Sequence, residues 1–269
     1  MTSSPDSGSL RRGVLLLRLL ATAGSRGLAL TELAARSALP HPSVHRVLRQ
    51  LVEERLAEHN PETRRYRLGP LSFELGLAGS TMFDIRDLCE SSMNALAAST
   101  ADTVYLIARS GFDAVCVHRI EGTFPIRTLV LEVGSRRPLG VGAGGLAILS
   151  AIGDEERREI IERVAPNLSA FGGLTTEALS LACKRSSRLG AAVIRDTVNL
   201  GVTAIGVAFR NAMGQAVGAL SVAAMSQRMT RERLGRIGTA LASATAEVER
   251  QLRANRRGAW HAGAAARDR

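Results

Sequence analysis

The chain has 269 residues, with 35 Lys and Arg against 25 Asp and Glu and a formal net charge of +10. That surplus favours a polyanionic partner and by itself leaves nucleic acid and an acidic membrane surface both open. Three cysteines, Cys89, Cys116 and Cys183, are odd in number and far apart, which excludes a disulfide framework and a CxxC metal or redox motif and fits a reducing cytoplasm.

The length allows two domains of about 70 and about 170 residues, and an apolar content of 45% supports real cores. Residues 1–9 are rich in Ser, Pro, Gly and Asp and are expected to be a disordered tail. The apolar run from Val14 to Ala23 is interrupted by Arg18. It is too short to span a bilayer and lacks a cleavage site of small residues, so it reads as the first helix of a domain over 10–68 and no membrane partner is expected.

Within that domain Leu30, Leu33 and Ala34 repeat at helical spacing, Ser37 to Pro40 break the pattern, and Val44, Val47, Leu48, Leu51 and Val52 resume it. Pro42 suits the first turn of the second helix, where a missing N–H costs nothing. At 100° per residue Pro42, Arg46 and Arg49 lie opposite the apolar stripe, with Ser43 and His45 on its flanks. His41 and His45 either meet bases or phosphate or pack on the neighbouring turn. Two alternating segments follow, LAEH and RYRL, joined by Asn60 to Arg64, and they predict a hairpin whose tip and return strand carry Arg64, Arg65 and Arg67. A helix-turn-helix with a basic hairpin is a winged DNA-binding unit, in which the second helix enters the major groove and wing arginines meet phosphate. Charge agrees: residues 1–68 hold eleven Arg and six Asp or Glu, a net of +5 in a quarter of the chain.

Leu71, Leu75, Ala78 and Met82 predict a linker helix over 69–83 with a single apolar stripe, buried on the second domain or against a second copy. The second domain, 84–252, starts with a helix carrying Ile85, Leu88, Ala95 and Leu96. Strands are expected at 103–108, 114–120 and 124–134, helices at 143–152, 154–165 and 175–189, strands at 191–194, 202–210 and 215–224, and a last helix from Thr230 to Leu252. The sum is an α+β domain with a mixed antiparallel sheet flanked by helices. The Arg- and Ala-rich tail 253–269 is expected to be disordered.

The segments LPHPSVHRVLRQLVEERLAEHNPETRRYRLG, VGSRRPLGVGAGGLAILSA, LGAAVIRDTVNLGVTAIGVAFRNAMGQAVGALSVAA and MTRERLGRIGTALASA resemble the isocitrate lyase regulator (IclR) type of transcription factor over about residues 10–252. The resemblance implies an N-terminal winged helix-turn-helix, a linker helix and a C-terminal GAF-like α/β effector-binding domain. It further implies action on double-stranded DNA as a homodimer or homotetramer, under control of a small-molecule effector and without a cofactor. Several positions depart from the family pattern: Ala38 stands where the turn usually has Gly, Gly140 and Leu146 where His and Lys are common, Ile194 near a frequent acid, Ala204 for a frequent Cys, and Ala223 for one of two serines, leaving Ser221. Fewer polar partners imply a less polar pocket, hence an aromatic or partly apolar small carboxylic acid as effector.

Gly140-Val141-Gly142-Ala143-Gly144-Gly145 satisfies GxGxxG, yet Pro138 interrupts the segment before it and no strand-paired acid follows about 20 residues on, as a dinucleotide site requires. The better use of Gly142, Ala143, Gly144 and Gly145 is close backbone approach to an effector, with the helix N-terminus aimed at its carboxylate. The alternative is tight packing alone. Asp196, Ala204, Ser221 and Ala223 complete the candidate effector set, Asp196 being equally readable as a solvated turn residue. Cys116 and His118, two apart on a strand, share a face in this reading, but two ligands make no zinc site, and no metal is expected. No Ser-His-acid order or carboxylate pair stands out, so an enzyme is a weaker reading, as is a DNA-binding protein that needs no ligand.

Overall fold

The computed structural model describes residues 8–78, 81–126 and 128–254, in two compact units that divide after Ser80. The expected tails at 1–9 and 253–269 fall largely outside the described residues; inside them, helix α1 already begins at Ser9 and the last helix runs to Ala254.

In the first unit α1 (Ser9–Ala23), α2 (Leu30–Ser37) and α3 (His41–Glu53) enclose a core of Leu16, Leu20, Leu33, Val44, Val47, Leu48 and Leu51. Four of the five apolar positions of α3 are buried and Val52 is half-buried, so the stripe read from spacing is the packed face. Pro40 caps α3 and Pro42 lies in its first turn. The turn from α2 depends on Ala38, whose backbone is left-handed with φ 55° and ψ 24°. A residue with a β-carbon there costs on the order of 1 kcal/mol. Three antiparallel strands complete the unit in the order β1 (Leu28–Ala29), β3 (Arg65–Leu68), β2 (Ala57–Asn60). The two-residue β1 has no period long enough to be read from sequence. Asn60 Oδ1 accepts the N–H groups of Glu62 and Thr63, each at 2.9 Å, which closes the hairpin tip as an Asx turn. Helix α4 (Pro70–Ala78) follows; on it Leu71 is half-buried and Leu75 exposed, while Ala78 and Met82 of the expected stripe have side chains outside the described residues.

The second unit is a six-stranded sheet in the order β6 (Arg136–Pro138), β5 (Asp113–Ile120), β4 (Thr103–Ser110), β9 (Ala216–Met225), β8 (Val202–Arg210), β7 (Ala192–Arg195). Among the described residues every pairing is antiparallel, which corrects the expectation of a mixed sheet. Alternation sorts the central strands between two cores. Val104, Leu106, Leu220 and Val222 face α5 (Thr81–Thr100) and α9 (Arg231–Ala254). Tyr105, Ile107, Ala219 and Ala223 face α6 (Gly142–Ser150), α7 (Asp154–Leu168) and α8 (Thr176–Leu189). Thr175 caps α8 by accepting the Ala178 N–H.

Two further expectations are corrected. The expected strand at 124–134 is not formed at 124–126 or 128–134, residue 127 lying outside the described residues. The Tyr105 hydroxyl donates to the Thr128 carbonyl at 2.6 Å and accepts the Val130 N–H at 3.1 Å, and Arg119 and Arg137 donate to the Leu131 and Val130 carbonyls. Side chains thus satisfy backbone groups that a ladder would otherwise have to satisfy, and the third strand is the short β6 beyond Gly134. Helix α7 also continues past Pro166 to Leu168. Pro166 leaves the Glu162 carbonyl without a helical donor on a turn where both residues are exposed, and the extension buries Leu168.

Candidate functional site

Helix α3 presents His41, Pro42, His45, Arg46 and Arg49 to solvent, with Ser43 half-buried. Both histidines are exposed, so neither packs into the turn beside it. Arg46 makes no ion pair among the described residues, whereas Arg49 leans on Glu53 one turn along at 3.3 Å. On the wing, Arg64 is exposed at the tip with φ 53°. Arg67 pairs at 2.7 Å with Glu58, its direct cross-strand neighbour. Arg65 is held more firmly: Nη1 donates to the Gly27 carbonyl at 2.9 Å and lies 3.1 Å from Glu32. Glu32 also accepts the Ala29 N–H at 2.8 Å; that bond first, and Arg65 after it, hold its carboxyl below the ordinary range. One carboxylate therefore ties the start of α2 to the return strand of the wing.

In the second unit a cavity of about 50 Å³ lies between the sheet and the start of α6. Gly142, Ala143, Gly144, Gly145, Ala204, Ser221 and Ala223 line it; Asp196 does not. Asp196 holds its own turn, Oδ1 accepting from the Gly201 N–H at 2.9 Å and the Ser226 hydroxyl at 2.7 Å. Gly144 answers to packing: a β-carbon there would stand 2.5 Å from Ile107 Cγ1, so α6 approaches β4 as closely as it does because that side chain is missing. The GxGxxG loop does follow a strand, since Pro138 ends β6, but an antiparallel edge strand opens no βαβ unit.

Sequence reasoning missed most of the wall. Tyr105, Ile107, Ala114, Val130 and Leu131 supply much of its apolar part, beside Ile194, which the departures from the family pattern had already marked. They come from strands and loops far apart in the chain, which no local pattern joins. Arg137, also in the lining, is the one charged group there among the described residues; only its place in the segment before the glycine loop hinted at it. Burial lowers the pKa of its guanidinium, and burial pushes the Tyr105 hydroxyl up to about 12.

Cys116 and His118 do not share a face. A bulge at Val117 pairs Ile107 with Cys116 and Leu106 with His118, and since Ile107 and Leu106 belong to opposite cores, the two side chains point apart. Desolvation lowers the pKa of His118, with Arg86 of α5 adding to it. Burial pushes the Cys89 and Cys116 thiols up to about 12. Among the described residues no group of three His, Cys, Asp or Glu could hold a metal, and no helix is long and apolar enough to cross a membrane.

Residues 9–61 match the IclR helix-turn-helix domain and residues 80–250 match the bacterial transcriptional regulator IclR C-terminal domain. The chain belongs to the IclR family. Like other IclR proteins it is a DNA-binding transcriptional regulator with a C-terminal domain of the effector-binding kind. Over 226 residues it is 29% identical to the HTH-type transcriptional regulator KipR of Bacillus subtilis, covering 84% of this chain and 90% of KipR. It is 25% identical to the HTH-type transcriptional repressor AllR of Escherichia coli over 84% of this chain and 83% of AllR. An IclR regulator from Alicyclobacillus acidocaldarius has the same fold, with a TM-score of 0.73 at 24% identity over 90% of this chain and 97% of the other. So does an IclR homologue from Microbacterium hydrocarbonoxydans solved with 4-hydroxybenzoate, with a TM-score of 0.71 at 24% identity over 92% of this chain and all of that one.

Proposed function

We propose that this IclR regulator reads a two-fold operator through α3 and the wing, and that a small carboxylic acid of aromatic or partly apolar character, bound in the cavity before α6, tunes that reading. The observation that carries the proposal is the separation of two surfaces by chemistry. One is an exposed face of His41, Pro42, His45, Arg46 and Arg49, together with the exposed Arg64 of the wing; the other is a mostly apolar cavity lined by the first turn of a helix. Arg46 is suited to a bidentate bond with guanine. Arg64, Arg65 and Arg67 supply positive potential for phosphate, the last two while also holding the wing.

A cavity of about 50 Å³ holds a few waters, and a benzene-sized ligand needs roughly 150 Å³. A ring-bearing acid therefore needs the irregular segments of the lining, Val130 and Leu131 and Val198 and Asn199, to give way. The acid bound by the Microbacterium homologue belongs to the proposed class. The chain acts in the cytoplasm as a homodimer or homotetramer in this reading, supported by the exposed Phe73 and Leu75 of α4, and it works as a ligand-tuned DNA binder and not as a catalyst.

Genome-wide footprinting of the bound protein tests the proposal. Discrete sites with paired half-sites beside catabolic genes are expected, and occupancy no better than random competitor DNA would refute it. Tight calorimetric binding of glyoxylate or pyruvate would count against the apolar character of the effector.

A further inference from the structure

Most half-buried arginines of the second unit have a carboxylate. Arg109 meets Glu156, Arg119 meets Glu121 and Glu132, Arg136 meets Asp113, Arg157 meets Asp154, and Arg228 and Arg233 share the buried Asp102. Arg137 differs. It follows Arg136 on β6, yet while Arg136 is clamped by Asp113 and Ser110, Arg137 has no Asp or Glu partner among the described residues. Its Nη2 donates to the Val130 carbonyl at 2.8 Å, and its guanidinium lies 5.9 Å from the centre of the Phe171 ring. Neither contact neutralises it. Its other terminal nitrogen, Nη1, stands 3.8 Å from where a β-carbon on Gly142 would be, so the charge flanks the first turn of α6 at the edge of the cavity.

A desolvated cation with one backbone bond and no counter-ion is costly to keep unless something supplies the missing charge. Among the described residues every other polar side chain of the lining is neutral: Asn199, Ser221, and the Tyr105 hydroxyl, already occupied by Thr128 and Val130. The planar fork of a guanidinium matches two oxygens on one carbon. We propose that Arg137 is the anion anchor of this cavity, holding the carboxylate of the effector and making the sensor select an acid over its neutral amide. The proposal rests on the cavity being the effector site and adds the residue that sets the charge of what enters.

The test is calorimetric titration of the full chain with matched pairs, benzoate with benzamide and butyrate with butyramide. Wild type is expected to bind at least one acid about tenfold or more tighter than its amide, the scale of a charge-assisted bond. Arg137→Gln should erase that ratio, Arg137→Lys should restore part of it, and Arg136→Gln, which changes charge on the same strand outside the cavity, should leave it intact. A ratio between two ligands is insensitive to a general loss of folded protein, which thermal melting of each variant checks separately. Equal binding of acid and amide by wild type, or a preference that survives in Arg137→Gln, overturns the anchor and leaves the pocket standing. Absence of binding by all four compounds at millimolar concentration overturns the pocket reading and the anchor with it.

Discussion

The two arginine-bearing sites of this regulator hold their charge in opposite ways. On α3 and the wing the guanidinium groups are exposed or lean on carboxylates at the surface, so water solvates them and each adds field more than stability. In the cavity Arg137 is half-buried and has no acid beside it among the described residues, so in the proposed reading its charge selects the ligand. The difference separates what mutation can do in each place. A surface site lets specificity change without touching the fold, whereas a cavity packed against a glycine helix start couples ligand, packing and stability.

The largest effect expected from that contrast is at Gly144. A valine there brings a β-carbon to within 2.5 Å of Ile107 Cγ1 in a closed core, and Gly144→Val should lower stability by about 3 kcal/mol in urea denaturation while abolishing binding of any acid the wild type takes. An unchanged midpoint would show that α6 has room to retreat.

The next effect is on the other side of the comparison and should leave the midpoint alone. Arg46→Ala is expected to reduce discrimination between the best site and a single-base mismatch by about 1–3 kcal/mol. Arg64→Ala should weaken all duplexes alike and lower the salt slope by about one. Arg64 is the proper phosphate probe because Arg65 also holds Gly27 and Glu32, so that truncating Arg65 mixes electrostatics with loosening of the wing. Competition binding across a salt series checks both variants, and identical profiles would contradict the division between helix and wing.

The same contrast explains what could be read from the residues. On α3, function and fold are two faces of one period: Val44, Val47, Leu48 and Leu51 point in, which leaves Arg46 and Arg49 pointing out, and thirteen consecutive residues contain the whole argument. The glycines in the first turn of α6 were legible for a similar reason, as a local run. The rest of the cavity was not, because Tyr105, Arg137 and Ile194 meet only through sheet pairing and helix packing. The sequence 124–134 alternates as a strand should, but the backbone of Thr128, Val130 and Leu131 is bonded by Tyr105, Arg119 and Arg137, and no spacing rule announces a side chain that replaces a ladder. The bulge at Val117 turned Cys116 and His118 to opposite faces by one extra residue, a shift that period-two reading cannot see.

The smallest effect isolates stability from function in the first unit. Ala38 closes the turn between α2 and α3 with φ 55° and ψ 24°, a conformation glycine adopts freely and alanine does not. Replacing it removes the clash of the β-carbon and raises the entropy of the unfolded chain, two effects of opposite sign in which strain relief is the larger when φ is positive. Ala38→Gly should therefore stabilise the helix-turn-helix by about 0.5–1 kcal/mol. Ala38 is exposed and precedes α3, so operator affinity and base preference at fixed salt should not move. A loss of stability would mean that the unfolded-chain cost outweighs the strain, and a change in base preference would mean that this turn sets the angle at which α3 meets the groove.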